Sequence, residues 1–309
     1  MSWTILIGRA LSAALLAFPA TLLATEPLPI FDAHLHAIHP AAFAKANEAA
    51  FGAFRKTAGG RVADPALLLA RTIEEMDKNN VRAGLVSGNN ELVQEWAQRY
   101  PQRFLPSFSP DLTLKSHEEA AARFAVEAAA GRWRALGELG LSYAGKALND
   151  PALFPYYEVC ERLGIPVFFH TGLDGPEPNR DIGPQFRVEL GDPLLLQDVV
   201  VRFPKLKLVI MHMGWPFFDH GLYMLYAYPN VFMDVAVTDW ILGKRVFERM
   251  LRETIDTVGS DRVLFGSDQM AWPQMITPAV ESVRDAKFLT ESDKRRILWE
   301  NAAVLLKLH

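Results

Sequence analysis

The sequence predicts an α/β fold closed into a (β/α)8 TIM barrel, and three observations predict it. Eight short apolar runs recur along the chain, spaced by roughly 30 residues and separated by segments of helical period. The runs are continuous and not alternating, as strands covered on both faces of a parallel sheet are. The 309 residues contain no linker, no low-complexity tract and no internal repeat beyond the strand–helix alternation, which suits one large domain. An open doubly wound sheet is the alternative; eight units in one uniform chain favour closure.

The elements follow in order. The first apolar run is Ile30-Phe31-Asp32-Ala33-His34, and Gly59-Gly60 marks a loop after it. Asp64-Pro65 starts a helix that runs to about Asn79, because Asp accepts from first-turn amides and Pro fits the first helical position. The second and third runs are Ala83–Ser87 and Phe104–Phe108. The fourth, Ala135–Leu139, follows a helix rich in alanine and glutamate. The fifth, Pro166–His170, follows a helix that stops at Leu163-Gly164, glycine being a natural C-terminal cap. The sixth, seventh and eighth are Leu208–His212, Val231–Val235 and Val263–Asp268. A capped helix begins near Thr290 and runs to the C-terminus, and Gly172–Gly191 is the longest polar loop.

Ahead of the barrel domain (25–309), residues 1–24 read as a secretory signal peptide. Arg9 precedes an apolar run of about 15 residues, and cleavage is expected after Ala24. The protein is therefore expected to be exported, periplasmic or secreted, with an uncleaved membrane anchor as the alternative. No other run is long enough to span a bilayer. Half the residues are hydrophobic and 22% are charged, enough apolar side chain for a large core. The net charge is −4, and loss of Arg9 makes it −5, so no nucleic-acid partner is expected. The single cysteine, Cys160, excludes an internal disulfide and reads as a helix-packing residue. A homo-oligomer is left open.

Chemistry gathers at the strand ends. The first strand ends in Asp32-Ala33-His34-Leu35-His36, the fourth near Glu138, the fifth in His170, the sixth in His212 and the eighth in Asp268. A barrel brings these ends to one face, where active sites are built. His34 and His36 are two apart and point to the same side of an extended strand. Imidazoles and carboxylates suit a divalent ion, zinc foremost, with a position left for water. One histidine at a strand end is weak evidence; four, joined by Glu138 and Asp268, carry the metal reading. Arg180, in the long loop after the fifth strand, is a candidate clamp for a substrate carboxylate. Trp215, Trp240 and Trp272 follow the sixth, seventh and eighth strands and can wall a small-molecule pocket. Asp234 and Asp239 receive no role. His117, His220 and His309 read as surface or helix residues.

These residues sit in motifs that resemble the amidohydrolase superfamily, and within it the amidohydrolase-related branch. The motifs are Phe-Asp-Ala-His-Leu-His at 31–36, Gly-Glu-Leu-Gly at 137–140, Pro-Val-Phe-Phe-His-Thr-Gly at 166–172, Leu-Val-Ile-Met-His-Met-Gly at 208–214 and Leu-Phe-Gly-Ser-Asp at 264–268. The resemblance implies that His34, His36 and His170 hold a metal and that Asp268 ligates it or acts as base toward its water. It implies that His212 ligates a second metal or polarises the substrate. Glu138 decides between one ion and two: TatD-like deoxyribonucleases have a bridging glutamate at this point, whereas aminocarboxymuconate semialdehyde decarboxylases hold one zinc. The sequence around the sixth strand leans toward one. The implied activity is metal-assisted hydrolysis of a C–N, lactone or ester bond of a small molecule, with non-oxidative decarboxylation or phosphodiester hydrolysis as alternatives. An inactive binding protein on the same barrel would have lost a ligand, and none is lost.

Overall fold

Eight parallel strands form one sheet in chain order: β1 (Ile30–Ala37), β2 (Val81–Gly88), β3 (Phe104–Phe108), β4 (Ala135–Leu139), β5 (Val167–Phe169), β6 (Leu208–Ile210), β7 (Val231–Asp234) and β8 (Val263–Leu264). The structure is a computed structural model describing residues 28–40, 60–173 and 184–308. The expected signal segment 1–24, Gly59, Arg180 and His309 lie outside the described residues. Strands β1 and β8 meet through two backbone bonds, Ala33 N–H to Phe265 C=O and Asp268 N–H to His34 C=O, each 2.8 Å. The ring is thereby nearly closed, and the expected TIM barrel is what the chain forms. Among the described residues no helix is long and apolar enough to cross a membrane.

Local sequence sets the element ends. Asp64 accepts from Leu67 N–H and Pro65 occupies the first turn of the helix Pro65–Lys78. Gly164, left-handed at φ +66°, ends the helix Phe154–Leu163. Thr290 and Asp293 form a reciprocal capping box at the start of the last helical segment. That segment loosens into a π turn at Arg296–Glu300 before closing as Asn301–Leu306.

Two apolar layers result. Phe31, Ala33, Ala83, Leu85, Phe168, Val209, Phe232 and Leu264 fill the barrel, with Leu305 and Leu306 of the last helix packed against them. A larger layer, including Leu35, Ala37 and Phe169, lies between strands and helices. Cys160 is in that outer layer, and burial pushes its thiol pKa up, so it is a packing residue and not a nucleophile. His117, read as a surface or helix residue, stands at the N-cap position of the helix Glu118–Ala129 and is buried at 2% exposure, edge-on to Tyr156.

Strand β1 changes face partway. Phe31 and Ala33 belong to the inner layer, but Leu35 and Ala37 belong to the outer one. Side chains alternate along a regular strand, so this needs an irregularity, and the pairing with β2 shifts between Asp32 and Leu35. The shift places His34 and His36 at the mouth, above the apolar filling. Gly266 makes room for it: a Cβ there would stand 2.6 Å from His34 Cβ and 3.1 Å from Ala236 Cβ. Gly266→Ala is therefore expected to destabilise the fold by about 1–3 kcal/mol through overpacking, read as a lowered urea midpoint. An unchanged midpoint would show that His34 is not confined at this point.

Candidate metal centre

Each expected metal-site residue reaches the same mouth. His34 and His36 come from β1, Glu138 from β4, and His170 directly follows β5. His212 and Asp268 follow β6 and β8 in left-handed backbone, at φ +58° and +50°. That conformation costs a non-glycine residue roughly 1–2 kcal/mol, and surrounding structure tends to hold such residues where a side chain must be aimed.

Glu138 is central. Its Oε2 lies 3.4 Å from His34 Nε2 and 3.3 Å from His36 Nε2. Its Oε1 lies 2.6 Å from His170 Nδ1 and 3.2 Å from His212 Nε2. Asp268 Oδ1 faces His36 Nε2 at 2.9 Å and His34 Nε2 at 3.8 Å. Three donor groups emerge among the described residues: His34 with His36 and Asp268, Glu138 with His170 and His212, and His34 with His212 and Asp234; within each, the ligand atoms lie within 4.8 Å of one another. The first two open on Glu138, whereas Asp234 is occupied by the His34 ring N–H and two backbone amides.

Outer hydrogen bonds fix the rings. The Nδ1–H of His34 donates to Asp234 Oδ2 (3.0 Å), and that of His212 to the Ala236 carbonyl (3.2 Å). Those acceptors hold the protons on Nδ1 and leave Nε2 of both rings toward the centre. His36 Nδ1 is 3.3 Å from Ser87 Oγ, and His170 Nε2 is 3.0 Å from Tyr143 Oη. The backbone is pinned as well. Gln269 exchanges two bonds with the His36 peptide groups, 3.0 and 2.8 Å, and Asp32 Oδ1 receives the amides of His34 and Ser267.

The donor set fits a divalent cation. His212 Nε2 and His170 Nδ1 stand 3.0 Å apart, where two lone pairs would repel unless one proton or a shared cation lies between them. Asp268 Oδ1 is buried and is faced by the ring nitrogens of His36 and His34, which as neutral metal ligands would bring it lone pairs and not protons. The charges respond accordingly. Burial alone would lower the His34 pKa, but Asp268 and Glu138 outweigh it and raise it well above the ordinary imidazole value. Burial would raise Glu138, yet His34 and the bonds from His170 and His212 hold it well below the carboxylate range. Asp268 is lowered likewise, burial being outweighed by His34 and His36. Asp239 is the contrast: burial, with Asp32 and Asp234 adding to it, raises its pKa well above the ordinary range, and neither oxygen has a partner.

Other expected residues fall differently. Trp272, expected as a pocket wall, is 1% exposed and belongs to the outer apolar layer. Trp240 is buried too, its indole N–H donating to the Ser267 carbonyl (2.6 Å). Trp215 is half-buried beside the His212 turn. Sequence reasoning missed Asp234, Ser87, Gln269 and Tyr143. Asp234 carried the same signal as the others, an acid at a strand end; the rest had none.

Comparison with known proteins follows the same line. An amidohydrolase family model matches residues 31–308. The 2-amino-3-carboxymuconate-6-semialdehyde decarboxylase of Dictyostelium discoideum is 27% identical over 198 residues, covering 55% of this chain and 53% of that protein. The chain thus spans about half the length of this curated relative. An uncharacterized TIM-barrel protein from Bordetella bronchiseptica superposes with a TM-score of 0.71 at 23% identity, over 91% of this chain and 99% of that one. A 5-carboxyvanillate decarboxylase from Novosphingobium aromaticivorans, complexed with manganese and a nitrobenzoic acid, gives 0.62 at 15% identity, over 91% and 97%. At these identities the structural likeness speaks to the fold.

Two outcomes are expected. Asp234 gives one oxygen to His34 Nδ1–H and the other to the amides of His212 and Ala236. Asp234→Asn turns an NH2 group against one of them, so bound metal should weaken about 10–100-fold by chelator competition; unaltered retention would remove Asp234 from the assembly. In metal-free protein, the raised His34 pKa stabilises the fold below 6.5, and this is lost as pH rises through its folded value. The lowered Glu138 and Asp268 values stabilise it above the ordinary carboxylate range, and this is lost as pH falls through theirs. The thermal midpoint should peak between about 4 and 6.5. A metal-free midpoint still climbing above pH 6.5 would contradict this charge arrangement.

Proposed function

The chain belongs to the amidohydrolase family of metal-dependent enzymes, and from that premise we propose that it removes the carboxyl group from a small organic acid. The observation that carries this reading is a cation with no anion beside it among the described residues. Arg61 makes no ion pair among them, and its buried Nε donates to none of them. Its neighbours are tied to the loop after β8: Val62 N–H donates to the Ala271 carbonyl (2.9 Å), and Gln274 Nε2 to that of Gly60 (3.0 Å). These bonds tie the Arg61 segment to the loop that begins three residues after Asp268, and a substrate carboxylate held there would give the guanidinium its partner. The curated relative's activity points the same way.

His34, His36 and Asp268 would hold one divalent ion, and Glu138, His170 and His212 a second, with Glu138 spanning both groups. We take zinc as the first choice and manganese as the second. Such an ion supplies a Lewis acid and an acidified water. Arg61 would orient the carboxylate, and Asp268 would relay a proton taken from water at the site to the carbon that loses its carboxyl group, so that R–COO⁻ and H2O become R–H, CO2 and OH⁻. The export signal read at residues 1–24 would put this activity outside the cytoplasm.

Hydrolysis of a C–N, lactone or ester bond is the second reading. Glu138 favours it, because a carboxylate divided between two donor groups suits a bridged ion pair that activates water.

The test is a paired assay on metal-loaded enzyme: CO2 release from hydroxybenzoic and unsaturated dicarboxylic acids, beside hydrolysis of esters, lactones and amides. CO2 release is expected, and Arg61→Ala should raise KM about 10-fold or more, as loss of a charged hydrogen bond does. Hydrolysis without CO2 release would replace the first reading by the second.

A further inference from the structure

His170 is gripped at both ring nitrogens by one short stretch of chain. Its Nδ1 lies 2.6 Å from Glu138 Oε1, and its Nε2 lies 3.0 Å from Tyr143 Oη. Tyr143 sits in the 3-10 turn Leu141–Ala144, which continues directly from β4 and is closed by Gly145 at φ +66°. Its ring lies against His170 on one side (centroids 4.7 Å apart) and Phe186 on the other (5.2 Å). The strand that supplies Glu138 therefore also fixes where the phenol stands.

The chemistry at Nδ1 demands more of Nε2 than a fixed donor or acceptor can give. While the centre is empty, Nδ1 keeps a proton for Glu138, and Nε2 needs a donor. When a cation takes Nδ1, the ring proton must sit on Nε2, which then needs an acceptor. His170 is 5% exposed, so water is a poor substitute. A carboxylate serves only the second state and an ammonium only the first; a hydroxyl that turns about its C–O bond serves both.

We infer that Tyr143 is a positioning residue for the Glu138–His170–His212 metal position, its hydroxyl reversing from donor to acceptor as the cation enters. This rests on the two-position reading given above. Leaving Nε2–H buried and unpaired should weaken that position selectively.

The experiment is a competitive zinc titration of wild-type and Tyr143→Phe protein, with 15N NMR of the zinc-loaded His170 ring. Phenylalanine keeps the ring packing against His170 and Phe186. Wild type should take up two ions. In the variant one ion should bind about 10–100-fold more weakly, the other should be unchanged, and the His170 Nε2–H should exchange faster with solvent. Unchanged affinity for both ions would overturn the role of Tyr143 and leave the two positions standing. Equal weakening of both would overturn it too, as general disturbance. One ion in wild type would overturn the two-position reading and this role with it.

Discussion

A carboxylate buried at the mouth of a barrel has to be answered by positive charge. Glu138 is answered by imidazole nitrogens from four directions, His34, His36, His170 and His212. Asp268 closes the set from β8. Without a cation, several of these atoms present lone pairs to one another at about hydrogen-bond distance, which an environment this dry does not tolerate. Protons can fill part of the role, and Asp268 and Glu138 push the His34 pKa up in that direction against the cost of burial. A divalent ion fills it better, since it accepts donors from several sides at once. The metal chemistry is thus a consequence of how the barrel buries charge.

Holding that arrangement takes a supporting layer that is itself buried. Asp234 is the clearest member, with one carboxylate receiving a ring N–H from β1 and two amides near β6 and β7. Gln269 and the Asp268 amide clamp the β1 backbone to the β8 loop, across the seam where the barrel closes. The register shift in β1 ties the two layers together. It lets Phe31 and Ala33 fill the barrel while His34 and His36, a residue or three further on, face the mouth. Fold stability and ligand geometry are set by the same few hydrogen bonds.

How much of this was legible varies by residue for physical reasons. Strands β3 and β4 fall where their apolar runs do, because a strand covered on both faces must be apolar throughout. The six ligand candidates were legible because barrel closure alone brings strand ends together. The β1 shift was not: Phe31, Ala33 and Leu35 read as one alternating face, and only packing against Gly84 and Gly266 shows otherwise. Asp234 and Asp268 look alike as acids at strand ends, and a few ångströms of packing separate a ring-orienting acid from a ligand candidate. Tyr143 and Ser87 are ordinary polar residues until tertiary structure sets them against the His170 and His36 rings. Trp272 shows the converse, a residue near the site in sequence that folds into the apolar layer.

The central claim is that these six side chains hold divalent metal, with Glu138 shared between two positions. Elemental analysis of purified wild-type and Glu138→Gln protein tests it most directly. The account predicts two equivalents of metal per chain in wild type, falling to one or none in the variant. A wild-type protein that is folded and takes up no divalent metal would contradict it.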